Sequence, residues 1–283
     1  MSYAAQEQVS NVLEFRGDMP VAARNRLALL DVVEGFRLWR LAWSLGWLDI
    51  RLRYRGSILG PFWLTLSTAI MIAALGVLYS ALFHIDMHNY LPFLALSQVL
   101  WGFIAALVSD ACNCFTLSDE MIRAIRMPLT VHALRTLIRN VFVLAHNVVV
   151  IVAVALIYAV LPGWSALQVL PGLALWAIDG LAICLLLGAI CARFRDVGPI
   201  VGSVMQIAFF LTPVIWQPEQ LGVHAVLLPL NPFFDLMQIV RAPLLDQMPS
   251  EQVWLAAIAY SIALCGFSWA LFVRARSRVA FWI

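Results

Sequence analysis

The sequence predicts an all-α protein that crosses a membrane several times. Of its 283 residues, 63% are hydrophobic and only 12% are charged, and the mean hydropathy is +0.89. Soluble domains carry about 25% charged residues. Six long apolar runs are visible, each close to the roughly 20 residues that a helix needs to cross a bilayer. We therefore expect one polytopic membrane domain with six transmembrane helices.

The segments before the first apolar run predict an arm followed by a helix lying in the membrane interface. Residues 1–31 are polar, without sustained periodicity or a cleavable signal peptide, and predict a cytoplasmic arm. Residues 32–56 predict an amphipathic helix, because aromatic and apolar side chains recur every three or four positions with arginines on other faces. An amphipathic helix packed on protein is the alternative. The recurring residues are Phe36, Trp39, Trp43, Trp47, Ile50 and Tyr54.

The six predicted spans lie within a membrane domain that covers residues 57–275 and precedes a short cytoplasmic tail, 276–283. A largely apolar stretch between the fifth and sixth spans is interrupted by four prolines. Proline breaks helices, and broken helices at membrane depth are tolerated where they pack against protein. This stretch therefore predicts short re-entrant helices. The spans are expected at 58–83, 90–111, 140–161, 166–192, 198–216 and 253–273.

The basic residues predict the orientation of the chain. All 18 are arginine, and with six spans 17 of them fall on one side, leaving only Arg241 for the other. The excess of positive charge on cytoplasmic loops then places both termini in the cytoplasm. Because the chain has no lysine, it has no P-loop lysine. If ATP drives this protein, another subunit binds it.

The segment between the second and third spans predicts a short cytoplasmic helix with a charged surface. Ser118 or Asp119 is placed to cap it, Glu120 lies near its N-terminus, and Arg123 and Arg126 fall in its later turns before Pro128 stops it. Such a helix is suited to docking a soluble partner, and a charged connector is the alternative.

One acidic residue, Asp179, falls inside the fourth predicted span. An ionisable side chain at membrane depth needs a partner or a water-filled path. The position therefore indicates either a functional group or a hydrogen bond to a neighbouring helix.

Four segments, in order along residues 33–275, resemble those of a known family. RYRGSILGPFWLTLS contributes Arg53, Arg55, Ser57, Leu59, Gly60, Pro61 and Trp63; SDEMIRAIRMPLTV follows, although Met127 and Leu129 depart from its usual ending. RFRDVGPIVGSVMQIAFFLTPVIWQPEQL and LLPLNPFFDLMQIVRAPLL complete the series with Arg195-Asp196-Val197, Thr212-Pro213-Val214-Ile215, Asn231-Pro232 and Arg241. This series resembles the permease subunits of type-2 ATP-binding-cassette exporters of polysaccharides, which transport O-antigen, capsule or teichoic acid.

The resemblance implies a transport subunit rather than an enzyme. It implies a permease homodimer with two copies of a separate nucleotide-binding ATPase subunit, which would hold ATP and Mg. No catalytic residue, metal or cofactor is expected in this chain. The substrate would be a lipid-linked glycan moved across the bacterial inner membrane, with membrane lipids as further partners and no nucleic acid.

Three groups of residues have expected roles, two of them from the same resemblance and the third, the aromatic residues, from position alone. The coupling helix to the ATPase would comprise Ser118, Asp119, Glu120, Arg123 and Arg126. A cytoplasmic gate for the lipid head group would comprise Arg51, Arg53, Tyr54, Arg55 and Trp63, although these arginines also fit a role in topology and anionic-lipid binding. Aromatic side chains expected to line the channel are Tyr79, Phe83, Phe209, Phe210 and Trp216.

Two other function classes stay open on the sequence. A type-2 permease for a small amphipathic drug or lipid shares the six-span plan. A proton- or ion-coupled secondary transporter typically has several buried acids and an internal repeat, whereas Asp179 is the one plausible intramembrane acid here and no repeat is obvious.

Overall fold

A computed structural model describes residues 20–57, 60, 62–160 and 162–283, apart from the side chain of Phe83. Of these residues, 84% are helical and none is in a strand. The predicted Leu59 and Pro61 of the first motif lie outside them, as does most of the predicted arm. The helices are α1 (Val21–Arg37), α2 (Trp39–Arg53), α3 (Phe62–Phe83), α4 (Met87–Cys112), α5 (Asp119–Ala124), α6 (Leu129–Ile157), α7 (Val169–Arg193), α8 (Val197–Leu211), α9 (Pro232–Leu244), α10 (Glu251–Ala275) and α11 (Val279–Trp282).

The described residues confirm an all-α polytopic membrane protein. Five helices are long and apolar enough to cross a membrane, namely α3, α4, α6, α10 and the segment that contains α7, and a bent pair raises the number to six. Helices α4 and α7 are the most enclosed by protein, and α4 packs against α3, α6, α7, α8 and α9. The core of the bundle is therefore built around α4.

Side-chain contacts fix the direction of each helix. At one end of the bundle, Arg139 pairs with Asp110 and Arg276 pairs with Asp31. The last turns of α4 and α10 and the first turns of α6 therefore lie together at this end. We call this the arginine-rich end, and the other the opposite end. At the opposite end, Ser165 before α7 bonds to the end of α9. The long helices therefore alternate in direction.

The fifth predicted span, 198–216, is shorter than expected. Helix α8 has 15 residues and ends at Leu211 because Thr212, which precedes a proline, adopts an extended conformation (ψ 138°). Phe209 near its end lies 5.9 Å from Trp101, which is 14 residues, or about 21 Å, into α4. Helix α8 therefore stops well before the opposite end.

A re-entrant segment continues from α8, as the four prolines predicted. A 3₁₀ segment, Pro218–Leu230, meets α9 at an angle of 109°. The bend lies deep in the bundle, because Asn231 donates to the hydroxyl of Thr212 at 2.9 Å. The far end of α9 returns to the opposite end, where Ser165 bonds to Pro243 and Asp246. The 3₁₀ segment and α9 are therefore the two limbs of a re-entrant segment, and both reach the opposite end of the bundle.

The N-terminal region differs from the predicted division at residue 31. Helix α1 begins at Val21 and buries Ala28, Asp31 and Gly35, and α2 follows after a break at Leu38. Two helices thus occupy the place of a polar arm and a single interfacial helix over 32–56. Helix α1 was not predicted because it buries only a few residues, none of them large and apolar, so its sequence shows little hydrophobic periodicity.

Helix α2 packs on α6 through its small side chains. Ala42, Gly46 and Ile50 are buried, whereas the aromatic stripe stays about half exposed. Trp43 and Trp47 make edge contacts with Phe142. The aromatic side chains therefore lie beside the face that packs on α6 and remain about half open to lipid.

The third helix begins earlier than the predicted span at 140. Helix α6 starts at Leu129 and includes Arg135 and Arg139. These arginines are neutralised by acids on two neighbouring helices, so the helix accommodates charges that interrupted the apolar pattern. The remaining predicted spans agree with α3, α4, α7 and α10 to within a few residues.

Candidate functional sites

The predicted coupling helix exists as α5 and lies exposed at the arginine-rich end. Ile122 packs against the main core, whereas Glu120 and Arg126 are exposed. Leu117 and Ile125, which flank the helix, are 70% and 56% exposed. Apolar and charged side chains thus share one outward surface, a composition suited to a protein partner.

Internal contacts of α5 differ from the predicted cap. The hydroxyl of Ser118 donates to the carbonyl of Cys114 at 3.2 Å, so neither Ser118 nor Asp119 caps the helix. Asp119 pairs with Arg123 at 2.5 Å, and Arg123 also donates to the backbone oxygen of Ile283. Since this ion pair is largely exposed, it contributes little stability. Its contacts instead connect α5 to α11.

A buried carboxylate on α1 holds the start of α6, immediately after α5. Asp31 accepts hydrogen bonds from the backbone N–H groups of Leu129 and Thr130, at 3.2 and 3.1 Å, and from the hydroxyl of Thr130 at 2.8 Å. It also pairs with Arg276 at 2.8 Å. These four residues, the Asp31 clamp, join α1, α6 and the end of α10.

The clamp supplies a helix cap from a distant part of the chain. Pro128 occupies the N-cap position of α6 and has no side-chain acceptor, so the first amides need an acceptor from elsewhere. The approach is close, since a Cβ on Gly35 would lie 2.6 Å from Cβ of Thr130. Helix α1 is therefore fitted directly against the first turn of α6.

A second group of charges links α2, α4 and α6. The carboxylate of Asp49 accepts two bonds from the guanidinium of Arg135, at 2.8 and 2.6 Å, and lies 3.5 Å from Arg139. Arg139 also meets Asp110 at 2.8 Å, and Asn140 donates to the same carboxylate. We call these five residues the acid–arginine network. It fixes α2 to the core of the bundle at the arginine-rich end.

The predicted gate residues lie at the turn between α2 and α3, which we call the elbow. Gly56 and Gly60 have φ values of +84° and +56°, a region that favours glycine. The hydroxyl of Ser57 accepts from the N–H of Gly60 at 3.1 Å. The arginines of the elbow are exposed, Trp63 is 53% exposed and Tyr54 is half-buried. None of these arginines, Arg51, Arg53 and Arg55, forms an ion pair with the described residues.

Toward the opposite end, separate motifs of the sequence come together around the break after α8. Buried Arg241 donates to the carbonyl of Pro213 at 2.5 Å, to the hydroxyl of Ser97 at 2.9 Å and twice to the side-chain oxygen of Gln238. Its guanidinium also lies 4.6 Å from the ring centre of Phe93. The one arginine that the sequence left for the other side of the membrane is therefore enclosed by protein.

Two further contacts complete this group, which we call the re-entrant clasp. The hydroxyl of Tyr90 donates to the carbonyl of Ile215 at 2.6 Å, and Asn231 bonds to Thr212 and caps α9 through the N–H groups of Phe233 and Phe234. The clasp comprises Tyr90, Phe93, Ser97, Asn231, Gln238 and Arg241 together with residues 212–215. It fastens the non-helical break and α9 to α4.

The aromatic residues predicted for the channel lie in two places. Tyr79 packs beside Tyr90 at the opposite end. Phe209 and Phe210 are in contact near the end of α8, and Trp216 donates to the carbonyl of Phe210 at 3.1 Å. Phe210 and Trp216 line a cavity of about 570 Å³ beside the re-entrant segment. The side chain of Phe83 lies outside the described residues.

Asp179 lies near the middle of α7 and is buried. One carboxylate oxygen accepts from the hydroxyl of Ser261 on α10 at 2.7 Å, and the other has no partner among the described residues. Asp179 therefore makes the hydrogen bond to a neighbouring helix that was one of its two expected roles.

Comparison with known proteins identifies the family. A family described as "ABC-2 type transporter" matches residues 40–245. The chain belongs to the ABC-2 transporter family. Two relatives of this ABC-2 chain are each named "O-antigen export system permease protein RfbA". The protein of Myxococcus xanthus is 23% identical over 82% of this chain and 91% of its own length. That of Klebsiella pneumoniae is 20% identical over 61% of this chain and 67% of its own length.

The region shared with other ABC-2 transporters contains α5, the acid–arginine network and the re-entrant clasp. It leaves out Asp31 and Arg276, the two charged members of the clamp. Neither residue was predicted from the sequence, and nor were Asp49 and Asp110. The detectable signal was the lack of a capping side chain before α6, and the spacing of Arg135 and Arg139, which places two cations on one helix face.

Proposed function

We propose that this ABC-2 permease is the channel subunit of a bacterial exporter that moves a lipid-linked polysaccharide, of O-antigen or capsule type, across the cytoplasmic membrane. It acts as a homodimer with two copies of a separate ATPase subunit, which hold ATP and Mg. The proposed substrate rests on one observation: both relatives are named O-antigen export permeases, and one of them is aligned over 91% of its length.

In this proposal the arginine-rich end faces the cytoplasm. Among the described arginines only Arg241 lies toward the opposite end, and arginine is concentrated on cytoplasmic loops of membrane proteins. Both termini and α5 are then cytoplasmic, where a soluble ATPase is present. The re-entrant segment then opens toward the outside.

The exposed surface of α5 docks the ATPase and passes on its movement. ATP binding and hydrolysis on the partner provide the driving force. Only four residues, 125–128, separate α5 from α6, so a displacement of α5 acts directly on the first turn of α6. The Asp31 clamp transmits this displacement to α1 and α10, and the acid–arginine network transmits it to α2.

Helix α2 ends at the elbow, which serves as the cytoplasmic entrance for the lipid head group. Arg51, Arg53 and Arg55 are exposed and have no acidic partner among the described residues, so each keeps N–H groups that can bind phosphate oxygens. Hydrogen bonds between guanidinium and phosphate are charge-assisted and often bidentate. The glycan then passes between the two permease copies along the predicted aromatic residues, past the re-entrant segment.

Complementation of a gene deletion tests the substrate. Deletion is expected to remove the surface polysaccharide and to leave the glycan on its lipid carrier inside the cell, and the wild-type gene restores export. Immunoblotting of surface glycan and mass spectrometry of the lipid carrier measure the two pools. Unchanged surface glycan in the deletion strain would refute the proposed function.

Reversal of one charge tests the docking surface. Glu120 is exposed and has no ion pair among the described residues, so Glu120→Lys changes the surface of α5 without breaking an internal contact. We expect reduced recovery of the ATPase with the purified permease. Glu251→Lys, at the exposed start of α10, is the matched control. Equal ATPase recovery from both variants, with normal membrane insertion, would contradict docking through α5.

A further inference from the structure

A polar cavity of about 300 Å³ opens at the opposite end, between the first turns of α4 and the two limbs of the re-entrant segment. Its floor contains Phe93, Gln238 and Arg241, and its rim carries His88, Asn89, Glu219 and Gln247. The volume is at the lower end of the range for ligand sites, roughly 300 to 1,000 Å³. The cavity is separate from α5 and the elbow, and the roles proposed above do not use it.

Most of the hydrogen-bonding groups around this cavity are free. The side chains of Gln217, Glu219 and Gln247 form no hydrogen bond with the described residues. Gln238 uses its oxygen to accept from Arg241, so its NH₂ group is left to donate. Asn89 gives one N–H to Asp86 and keeps its oxygen and second N–H. Buried Arg241 has one N–H that no described residue accepts.

The chemistry of these groups favours a neutral ligand rich in hydroxyl groups. Side-chain amides both donate and accept, as hydroxyl groups do. Glu219 accepts only and would repel a phosphate or carboxylate from the mouth of the cavity. Arg241 already engages three oxygen atoms, and its cation is stacked on Phe93. A ligand of the size of one or two sugar rings matches both the donors and the volume.

We propose that this cavity is a saccharide-binding subsite on the outer side of the permease, which holds a sugar unit of the glycan near its exit. The proposal rests on the proposed function, because that function supplies the orientation and the polymer. A bound sugar would contact Gln238 and Arg241, which also hold the break at Pro213. Occupancy of the cavity is thereby linked to the position of the re-entrant segment.

Saturation-transfer NMR on the purified full chain in nanodiscs tests the subsite. The probes are methyl α-glucoside, methyl α-mannoside, methyl α-galactoside and N-acetylglucosamine, each at about 10 mM so that even a millimolar Kd is detected. We expect a signal from at least one probe. The double variant Asn89→Leu/Gln247→Leu should bind it about tenfold more weakly, since two hydrogen bonds are lost. Gln168→Leu is the matched control, because this amide lies at the same end outside the cavity.

Inorganic phosphate distinguishes a sugar site from an anion site. We expect phosphate not to displace the sugar from wild type, but to compete in Glu219→Gln. Absence of any sugar signal, an equal signal in the double variant, or displacement by phosphate in wild type would overturn the subsite. If the deletion strain loses surface glycan while the cavity variants bind sugar normally, only the subsite fails. If export does not depend on the gene, the proposed function fails even though sugar binds.

Discussion

Removal of the carboxylate of Asp31 should loosen the start of α6. In the folded chain this side chain is 2% exposed and accepts from two backbone N–H groups, one hydroxyl and one guanidinium. Asp31→Ala leaves the first amides of α6 without an acceptor, because Pro128 cannot replace it. We expect local opening around Leu129 and Thr130 rather than loss of the whole fold.

The size of the effect follows from two contributions. Loss of a side-chain helix cap costs about 0.5–2 kcal/mol. The ion pair with Arg276 contributes about 1 kcal/mol, because the arginine is 31% exposed and solvent weakens its attraction. A total of about 1.5–3 kcal/mol corresponds to a rise of roughly 10- to 150-fold in the population of the opened state. Asp31→Asn keeps an oxygen for Thr130 and should have a smaller effect.

Hydrogen exchange followed by mass spectrometry measures this opening in a peptide that covers α5 and the first turn of α6. Asp86→Ala is the matched control. Asp86 occupies the N-cap position of α4, but its side chain accepts no hydrogen bond from the backbone N–H groups of that helix. Its exchange over residues 87–90 should stay at the wild-type rate. If Asp31→Ala exchanges at the wild-type rate over residues 119–134, the clamp does not stabilise α6 and the reasoning is wrong.

Three further variants test other contacts. Arg241→Lys replaces a planar fork with an ammonium group that cannot reach Ser97, Pro213 and Gln238 together, so a thermal-shift assay in detergent should show a lower Tm while ATPase recovery stays normal. In Gly35→Val the new side chain should clash with α6, which should lower Tm and reduce ATPase recovery. Gly102→Ala should change neither, because there is open space around Gly102. Arg53→Gln with Arg55→Gln should reduce export at normal membrane insertion, and full export would contradict the head-group role of the elbow.

The spans could be predicted from the sequence because lipid imposes a simple rule on each helix separately. An apolar run long enough to cross must become helical, and this placed α3, α4, α7 and α10 within a few residues. The rule failed where protein replaces lipid. Arg135 and Arg139 interrupted the apolar pattern, yet acids from other helices pair with them and the helix continues. Such pairs depend on distant parts of the chain and leave no local signal.

The motifs of the sequence indicated which residues matter in the re-entrant segment, but not that they form one structure. Asn231 and Arg241 belong to one motif, and Thr212 and Pro213 belong to another. In the fold all four meet at the break after α8. Their partners on α4, such as Ser97, lie in an ordinary apolar run and could not be recognised. Only the packing of α9 against α4 brings them together.

The two ends of the molecule hold their arginines differently. At the arginine-rich end, the arginines of the clamp and of the acid–arginine network pair directly with carboxylates. In the clasp, Arg241 is 1% exposed, and its guanidinium donates to carbonyl, hydroxyl and amide oxygens and lies over an aromatic ring. Moving α9 away from α4 would break several of these contacts at once and leave a buried cation with fewer hydrogen bonds, which is costly. The contacts of the clasp therefore favour movement of α4, the break after α8 and α9 as one unit.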